Sequence, residues 1–487
     1  MTSTVDKDKA KIEYGDFQTP LELAAKVCHQ LIENDVSPDV IIEPTCGVGN
    51  FLEVASPLFA STNKIIGLEL NPHYLKELKT KQVLLQDQRI ELYHADFFEF
   101  DWLSCVNQFS GKILVLGNFP WVTNSQQGSI GSKNLPNKNN FQNHTGLDAI
   151  TGKSNFDISE WMLIKAIQWL TGRDAYLAML CKTSVSRKLL SHLYCNHLNL
   201  AYCATYSIDT KKYFNASVEA CLLFCKFDFS SKNYFCDVFK SLGSSEYYKI
   251  GYRNNIIIRD IATFDKLSKL YHVNSDKKWR SGIKHDCSNV MEFRKIGNVI
   301  TNKLGEKVDI EETCLFPLIK GSALAQNRIK TTDKYLLVTQ KYVGQSTEYI
   351  RYAAPKTWNY LESHSHYLDN RKSKIYKANP RFSIFGVGSY TFKPWKIAIC
   401  GLYKKLEFRL IGQMIEQPVV FDDTVYFLSF EHQEVAHQTF EILTSPSVID
   451  FYSSLIFWDE KRPIKCSILN SLNLKALMDI ANFSPIL

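Results

Sequence analysis

Apolar and polar positions alternate in blocks along the first half of the chain, and the blocks have the lengths of strands and helices in turn. Short apolar runs predict strands at 40–42, 65–68, 90–93, 113–116, 175–180 and 220–224. A helix is predicted at 21–33, after Thr19-Pro20, and another at 157–170, which is apolar nearly all round. This alternation predicts a parallel sheet covered by helices, with ligands bound at the carboxyl ends of its strands.

The pattern stops between Val122 and Asn155, where Asn, Gly, Ser and Gln dominate. A loop of that length is uncommon in a compact domain, and two interpretations stay open: a solvated surface excursion, or a flap that closes over a bound strand. From about residue 235, short strand-like and aromatic segments replace the regular units. We therefore expect a first domain at 1–235, a connecting segment at 236–300 and a second, mixed domain at 301–487.

Composition narrows the classes of protein that fit. A net charge of +7 over 487 residues permits a polyanionic partner without requiring one. The thirteen cysteines are scattered and form no CxxC pair, which favours reduced thiols in a cytoplasm over a disulfide framework or a zinc site. Met1–Tyr14 lacks an apolar leader, and no run approaches the roughly eighteen apolar residues of a membrane span. We expect a cytoplasmic protein without a membrane partner.

The segment Gly117-Asn118-Phe119-Pro120-Trp121, directly after an apolar strand, indicates the chemistry. The Asn118 side-chain oxygen and a backbone carbonyl can each accept one N–H of a planar amine, and the Trp121 face can stack on the ring that carries it. Such a site suits methyl transfer to N6 of adenine.

Other strand ends supply matching polar groups. Glu43-Pro44-Thr45-Cys46-Gly47-Val48-Gly49 forms a strand-to-helix turn whose glycines let backbone approach a ligand. Glu69 follows at the end of the next strand, where an acid commonly binds a ribose diol. Asp96-Phe97 ends a third strand, and Asn118 ends a fourth.

Together these motifs resemble those of S-adenosylmethionine-dependent DNA adenine-N6 methyltransferases of restriction–modification type, specifically over 14–228 and more loosely over 310–470. The resemblance implies a Rossmann-like class I methyltransferase domain followed by a mixed α+β target recognition domain. It implies S-adenosylmethionine as cofactor, double-stranded DNA as partner and possibly a separate cognate restriction endonuclease. The cofactor residues that it implies are Thr19 in Asp16–Pro20, Glu43, Cys46, Gly47, Gly49, Glu69, Asp96, Phe97 and Asn118.

The resemblance also implies catalytic roles for Asn118, Pro120, Trp121 and Phe214, the last as the aromatic residue that stacks on a flipped base. Phe119 departs from the family, which usually has proline there, so the local backbone loses one constraint. We expect activity nonetheless. Alternatives remain: Trp121 and Phe214 as core aromatics, and Glu43 and Asp157 (in the motif-like Asn155-Phe156-Asp157) as turn or cap residues.

In the expected mechanism, hydrogen bonds from the amine to Asn118 and to the carbonyl of Pro120 or its neighbour direct the nitrogen lone pair toward the methyl donor. The base must leave the duplex stack to reach the site. No metal is needed.

The second half contains basic residues interleaved with aromatics, a composition that suits DNA contacts although a solvated face explains it equally. We predict DNA contacts from Arg371, Lys372, Lys374, Lys377 and Arg381, in a protein associated with the bacterial nucleoid. The alternatives are a methyltransferase for RNA adenine or protein glutamine, or a catalytically impaired DNA-binding homologue.

Overall fold

The computed structural model describes residues 18–121, 157–272, 278–474 and 477. The chain forms two compact units that divide between Arg259 and Asp260. The predicted motif residues Asp16, Phe17, Asn155 and Phe156, and the segment 122–155, lie outside the described residues. Across the described parts, no helix is long and apolar enough to cross a membrane.

A sheet of ten strands in the described chain organises the first unit. The strands are β1 (Val40–Glu43), β2 (Lys64–Glu69), β3 (Ile90–His94), β4 (Ile113–Asn118), β5 (Ala175–Lys182), β6 (Leu200–Ile208), β7 (Ala220–Phe227), β8 (Phe235–Phe239), β9 (Tyr247–Arg253) and β10 (Ile256–Ile258). Their order is β10-β9-β8-β6-β7-β5-β4-β1-β2-β3. Every strand predicted from the apolar runs is present.

The direction of the strands creates the ligand crevice. β3, β2, β1, β4 and β5 are neighbours in that order and run parallel, while β7 is antiparallel to both β5 and β6. From β1 the chain builds outward to β2 and β3, then returns to the other side of β1 to add β4. A crevice at the carboxyl ends of β1 and β4 follows from this reversal of strand order.

The helices of the first unit connect these strands. They are α1 (Leu21–Glu33), α2 (Asn50–Leu58), α3 (Pro72–Leu78), α4 (Gln82–Gln86), α5 (Trp102–Asn107), α6 (Ile158–Leu170), α7 (Thr183–Cys195) and α8 (Thr210–Phe214). α1 begins directly after Pro20, and α6 is buried along most of its length, as predicted. The alternation of strands and helices confirms the expected Rossmann-like α/β fold.

The first unit extends beyond the boundary expected at residue 235. β8 pairs parallel with β6, and β9 and β10 follow as antiparallel neighbours, so this part of the expected connecting segment belongs to the sheet. The sequence conceals β9 because its first three side chains are exposed, and an exposed strand lacks the apolar run of a buried one.

The second unit contains two smaller sheets, ordered β14-β13-β12-β16-β15-β19 and β11-β20-β17-β18. Their strands are β11 (Arg280–Ser281), β12 (Glu292–Ile296), β13 (Val299–Asn302), β14 (Lys307–Val308), β15 (Leu315–Ile319), β16 (Lys334–Leu337), β17 (Trp395–Cys400), β18 (Arg409–Ile411), β19 (Val420–Phe421) and β20 (Val425–Phe430). Adjacent strands are antiparallel except β15 and β19.

Short helices complete this unit. They are α9 (Ile261–Leu267), α10 (Ser288–Met291), α11 (Gly321–Ala325), α12 (Ile350–Ala353), α13 (Pro355–Ser363), α14 (Ser365–Asp369), α15 (Gln433–Leu443), α16 (Pro446–Leu455) and α17 (Cys466–Leu469), with 3₁₀ turns at Ser268–Leu270, Glu312–Cys314, Lys374–Tyr376 and Ser389–Phe392. The unit has apolar cores of its own, and its mixed α+β character is as expected.

Candidate active site

The turn between β1 and α2 has the backbone that its glycines predict. Gly47 and Gly49 have φ values of +54° and +77°, a region that other residues adopt only at a cost. The Gly47 N–H donates to Glu69 Oε2 at 2.7 Å, and the Val48 N–H donates to Gln18 Oε1 at 3.1 Å. The turn therefore brings together the ends of β1 and β2 and the segment before α1.

Glu69 lies where a ribose-binding acid is expected. Its Oε1 accepts from the Asn71 N–H at 2.7 Å, so both carboxylate oxygens are oriented by backbone donors. Carboxylate oxygens accept hydrogen bonds from hydroxyl groups, and each can accept more than one. This arrangement fits the diol of S-adenosylmethionine.

Thr19 and Cys46 border the same turn. The Thr19 carbonyl accepts from Asn50 Nδ2 at 2.8 Å, which ties the chain before α1 to the start of α2. The Cys46 N–H donates to the Leu68 carbonyl at 2.9 Å, and burial raises the pKa of its thiol. Cys46 is therefore a neutral, space-filling residue of the turn.

Glu43 is a buried acid at the end of β1, 3% exposed. Its Oε2 has no hydrogen-bond partner within the described part of the chain. Burial raises the pKa of this carboxyl well above its usual range, and the charge of Glu69 raises it further. A buried carboxyl of this kind is matched by a cationic ligand, and S-adenosylmethionine carries a sulfonium and an ammonium group.

Asn118 ends β4 beside this turn. Thr45 Oγ1 donates to the Asn118 carbonyl at 3.3 Å, and Asn118 pairs with Leu180 of β5. Asn118 and Pro120 are each half-buried, so the catalytic segment lies partly open at the carboxyl end of the sheet. The structure thus brings the predicted amine-binding segment next to the glycine turn.

Phe119, the departure from the family pattern, is accommodated by packing. Its ring is 1% exposed and meets the Phe97 ring edge-on, with centroids 5.4 Å apart. Phe97 also contacts Trp169, and its carbonyl accepts from Trp102 Nε1 at 2.8 Å. Phe119 therefore fixes its segment by filling an aromatic core, where proline would fix it by restricting φ.

Asp96 lies just before this cluster. Its Oδ1 accepts from the Phe98 N–H at 2.7 Å and so shapes the turn after β3. The Phe97 ring is 6% exposed and engaged with other aromatic rings.

Trp121 and Phe214, predicted to hold a flipped base, lie side by side. Their ring centroids are 5.1 Å apart and their planes make an angle of 65°. Both side chains are buried, at 4% and 8% exposure. The structure therefore brings the pair together, but as an edge-on contact that leaves no space for a base between the rings.

Lys182, at the end of β5, is a residue of this site that the motifs did not reveal. Its Nζ donates to the Trp121 carbonyl at 3.0 Å and lies 2.5 Å from Asp157 Oδ2. Asp157 is also the N-cap of α6, because its Oδ1 accepts from the Ser159 N–H at 3.2 Å. A single lysine after a strand has no distinctive spacing, so only the parallel pairing of β4 with β5 could have suggested it.

Two of the predicted DNA-contacting residues have structural partners instead. Arg371 is 7% exposed, and its guanidinium donates to the carbonyls of Leu368, His285 and Ser383 while stacking on Tyr376. This prediction is corrected, because the buried Arg371 side chain cannot reach a phosphate.

Arg381 is partly exposed and bridges Glu362 and Asp369 at 2.9 Å each. Its charge is therefore largely neutralised. By contrast, Lys372, Lys374 and Lys377 are exposed and form no ion pair with any described residue. Lys374 and Lys377 lie one 3₁₀ turn apart and so project on the same side.

The described residues contain no cluster of three or more His, Cys, Asp or Glu side chains that could bind a metal.

Comparison with known proteins assigns the chain to a family. No family model matches the chain. The chain is 62% identical, over 97% of its length and 98% of the relative's, to the type II methyltransferase M.NspV from Nostoc sp. (strain ATCC 29411 / PCC 7524). Its fold resembles that of the type IIL restriction–modification enzyme MmeI, solved in complex with DNA, with a TM-score of 0.57 and 12% identity. That match covers 95% of this chain and 65% of the larger MmeI chain.

The relationship to M.NspV covers both units, and therefore both the glycine turn and the Asn118 segment. The expected cofactor, S-adenosylmethionine, is confirmed together with the class I methyltransferase fold. The chain belongs to the type II methyltransferases of restriction–modification systems.

Proposed function

We propose that the protein methylates N6 of an adenine at a specific site in double-stranded DNA. The observation that carries this proposal is the position of Asn118, which ends β4 beside the turn formed by Gly47 and Glu69 and is followed two residues later by Pro120. An amide oxygen and a backbone carbonyl suit the two N–H groups of an exocyclic amine. The adjacent turn suits the methyl donor.

The chemistry follows from positioning. S-adenosylmethionine, when bound, supplies an electrophilic methyl group. The adenine amine is a weak nucleophile because its lone pair is delocalised into the ring. Hydrogen bonds to the Asn118 side-chain oxygen and to the carbonyl of Pro120 or its neighbour favour a more pyramidal nitrogen. They also aim the lone pair at the methyl group, so orientation and electrostatics supply most of the rate.

The amine of a stacked base pair is out of reach, so the adenine must leave the duplex. Trp121 and Phe214 are the aromatic residues next to Asn118 that can stack on it after their own contact opens. Stacking on an aromatic side chain contributes about 1–3 kcal/mol per base. This contribution offsets part of the energy lost when the base leaves the helix.

The second unit is proposed to recognise the DNA target, with Lys372, Lys374 and Lys377 contacting phosphates. Their exposure and lack of ion pairs in the described structure support this assignment. In the cell the enzyme would act in the cytoplasm, on the nucleoid, as the modification partner of a cognate restriction endonuclease. The relative's designation as a type II methyltransferase supports that setting.

A site built to hold a planar amine would also suit RNA adenine or a protein glutamine. The combination of a sequence relative from restriction–modification and a second unit with unpaired surface lysines favours DNA over both. The tight packing of Phe119 on Phe97 favours an active site over an impaired one, because the segment is held without the missing proline.

The test is to incubate the protein with labelled S-adenosylmethionine and unmethylated genomic DNA, then to digest the DNA and identify the methylated nucleoside. We expect N6-methyladenine from the wild type. An Asn118→Ala variant should bind the cofactor yet lose at least about 100-fold in rate, since it removes an oriented acceptor. A different methylated nucleoside, or label in RNA or protein alone, would overturn the assignment.

A further inference from the structure

Lys182 occupies a junction of three chain segments at the active site. It ends β5, two residues beyond Leu180, which pairs with Asn118 on β4. Its side chain is 18% exposed, and the ammonium group reaches both the Trp121 carbonyl and the Asp157 carboxylate. Lys182 thus links the end of β5, the catalytic segment and the start of α6.

The geometry restrains the catalytic segment beyond the end of its strand. β-sheet pairing with β5 holds the segment as far as Asn118, where β4 ends. The Lys182 bond to the Trp121 carbonyl, at 3.0 Å, restrains the far side of Pro120. The Pro120 peptide is therefore held from Asn118 on one side and from Trp121 on the other.

Asp157 makes this restraint rigid and electrically neutral. Its carboxylate is 6% exposed and shared between the Lys182 ammonium and the first turn of α6, so the lysine has little freedom to rotate away. Pairing also cancels most of the ammonium charge. An uncancelled cation here would oppose the positive charge that methyl transfer moves onto the acceptor nitrogen.

We propose that Lys182, held by Asp157, is a positioning residue for methyl transfer. It fixes the carbonyl of Trp121, and thereby the Pro120 peptide, in a catalytic segment that lacks the usual first proline. It touches neither reacting atom. The inference rests on the proposed function for the role of the segment, although the restraint itself is independent of which amine is methylated.

The test compares Lys182→Met, Lys182→Arg and Asp157→Asn with the wild-type chain. Lys182→Met should slow single-turnover methyl transfer by roughly 10- to 100-fold, because small displacements of positioning groups have effects of that size. Cofactor affinity, measured by calorimetry, should stay within about twofold, since the cofactor turn is untouched. Amide hydrogen exchange in a peptide spanning 113–121 should become faster. Lys182→Arg should recover part of the lost rate. The rate of Asp157→Asn should lie between those of Lys182→Met and the wild type.

Lys188→Met is the matched control. Lys188 pairs with Glu160 at 2.8 Å, so it also connects α7 to the first turn of α6, but the structure gives it no bond to the catalytic segment. Its rate and exchange should resemble those of the wild type. An unchanged transfer rate in Lys182→Met, or an equal loss in Lys188→Met, would overturn the inference.

The two proposals fail separately. If the wild type methylates an amine other than adenine N6, the proposed function falls, and the ratio of variant to wild-type rates on that acceptor still measures positioning. If the wild type transfers no methyl group, hydrogen exchange alone decides. In that case, unchanged exchange across 113–121 in Lys182→Met overturns the role of the lysine.

Discussion

Glu43 shows how burial prepares a single side chain for a cationic ligand. Its carboxyl at the end of β1 keeps its proton to higher pH than an exposed glutamate, chiefly because burial penalises the charged form. A bound cation compensates that penalty, so cofactor binding should expel the proton. Binding should therefore strengthen as pH rises toward the elevated pKa of Glu43.

Glu43→Gln tests this linkage. The glutamine imitates the protonated acid, so the variant should bind S-adenosylmethionine at least about tenfold more weakly at high pH and lose the rise of affinity with pH. Calorimetry from about pH 6 to about pH 9 measures both effects. Without ligand the sign reverses: folded Glu43 retains a proton that the unfolded chain releases, so this carboxyl contributes a fall of stability with rising pH that the variant lacks. If the cofactor affinities of the wild type and of Glu43→Gln changed in parallel with pH, the assignment of Glu43 to the cofactor site would be contradicted.

At the scale of single residues, the sequence predicts those that belong to motifs with distinctive spacing and misses those whose role depends on contacts in the fold. Gly47, Glu69 and Asn118 could be placed because Glu69 and Asn118 end recognisable strands and Gly47 lies in the turn that follows another. Lys182 could not, because its partners are a carbonyl and a carboxylate from distant segments. The prediction of a DNA contact for Arg371 failed because a basic run in the sequence indicates exposed side chains. The three carbonyls that accept from Arg371 are brought to it only by the fold.

At the scale of elements, the strands that contain apolar runs, including the antiparallel β7, were predictable, and β6, β8, β9 and β10 were not. β1, β2, β4 and β5 are buried along nearly their whole length and so form continuous apolar runs. β6 mixes Tyr, Thr, Cys and Ser, and its burial depends on pairing with β7 and β8. Its identity as a strand is therefore a property of the sheet and not of its own sequence.

Strand β17 contains a buried lysine, Lys396, which is 1% exposed and donates to the Lys393 carbonyl at 2.7 Å. Burial lowers the pKa of Lys396 from 10.5 to about 7. Between those values the unfolded chain binds the proton and the folded chain does not, so this lysine makes stability rise with pH over that window.

Lys396→Met should remove this contribution to the pH dependence of stability and raise the free energy of unfolding at about pH 7 by more than about 1 kcal/mol, since one pKa unit corresponds to that amount. Urea denaturation at both ends of the window measures it. Equal slopes with pH in the two proteins would show that Lys396 is hydrated in the folded state.

At the scale of the whole molecule, each of the two units has apolar cores of its own. Chemistry and recognition can therefore be perturbed separately. A change on the surface of the second unit should alter DNA affinity and leave cofactor affinity intact, because the cofactor residues all belong to the first unit.

Replacing Lys372, Lys374 and Lys377 with alanine should weaken DNA binding and reduce the slope of log affinity against log salt by about one for each phosphate that the variant no longer neutralises. Titration between about 50 and about 200 mM salt measures that slope. The matched control replaces Lys307, Lys330 and Lys334, which are equally exposed lysines of the same unit. Equal losses of affinity in both triple variants would show that only net charge matters.

The contact between Trp121 and Phe214 has a consequence for how a substrate competes. The two rings are in contact with each other, so a base that enters as proposed would replace a contact that already exists. The free energy gained by the base is then the difference between the new stacking contact and the ring contact that it replaces. Stacking alone would then barely favour the binding of any base. Net binding would be favourable only for a base whose amine also donates a hydrogen bond to Asn118. In the proposed mechanism, the contact between Trp121 and Phe214 would therefore select against bases that can stack but cannot donate to Asn118.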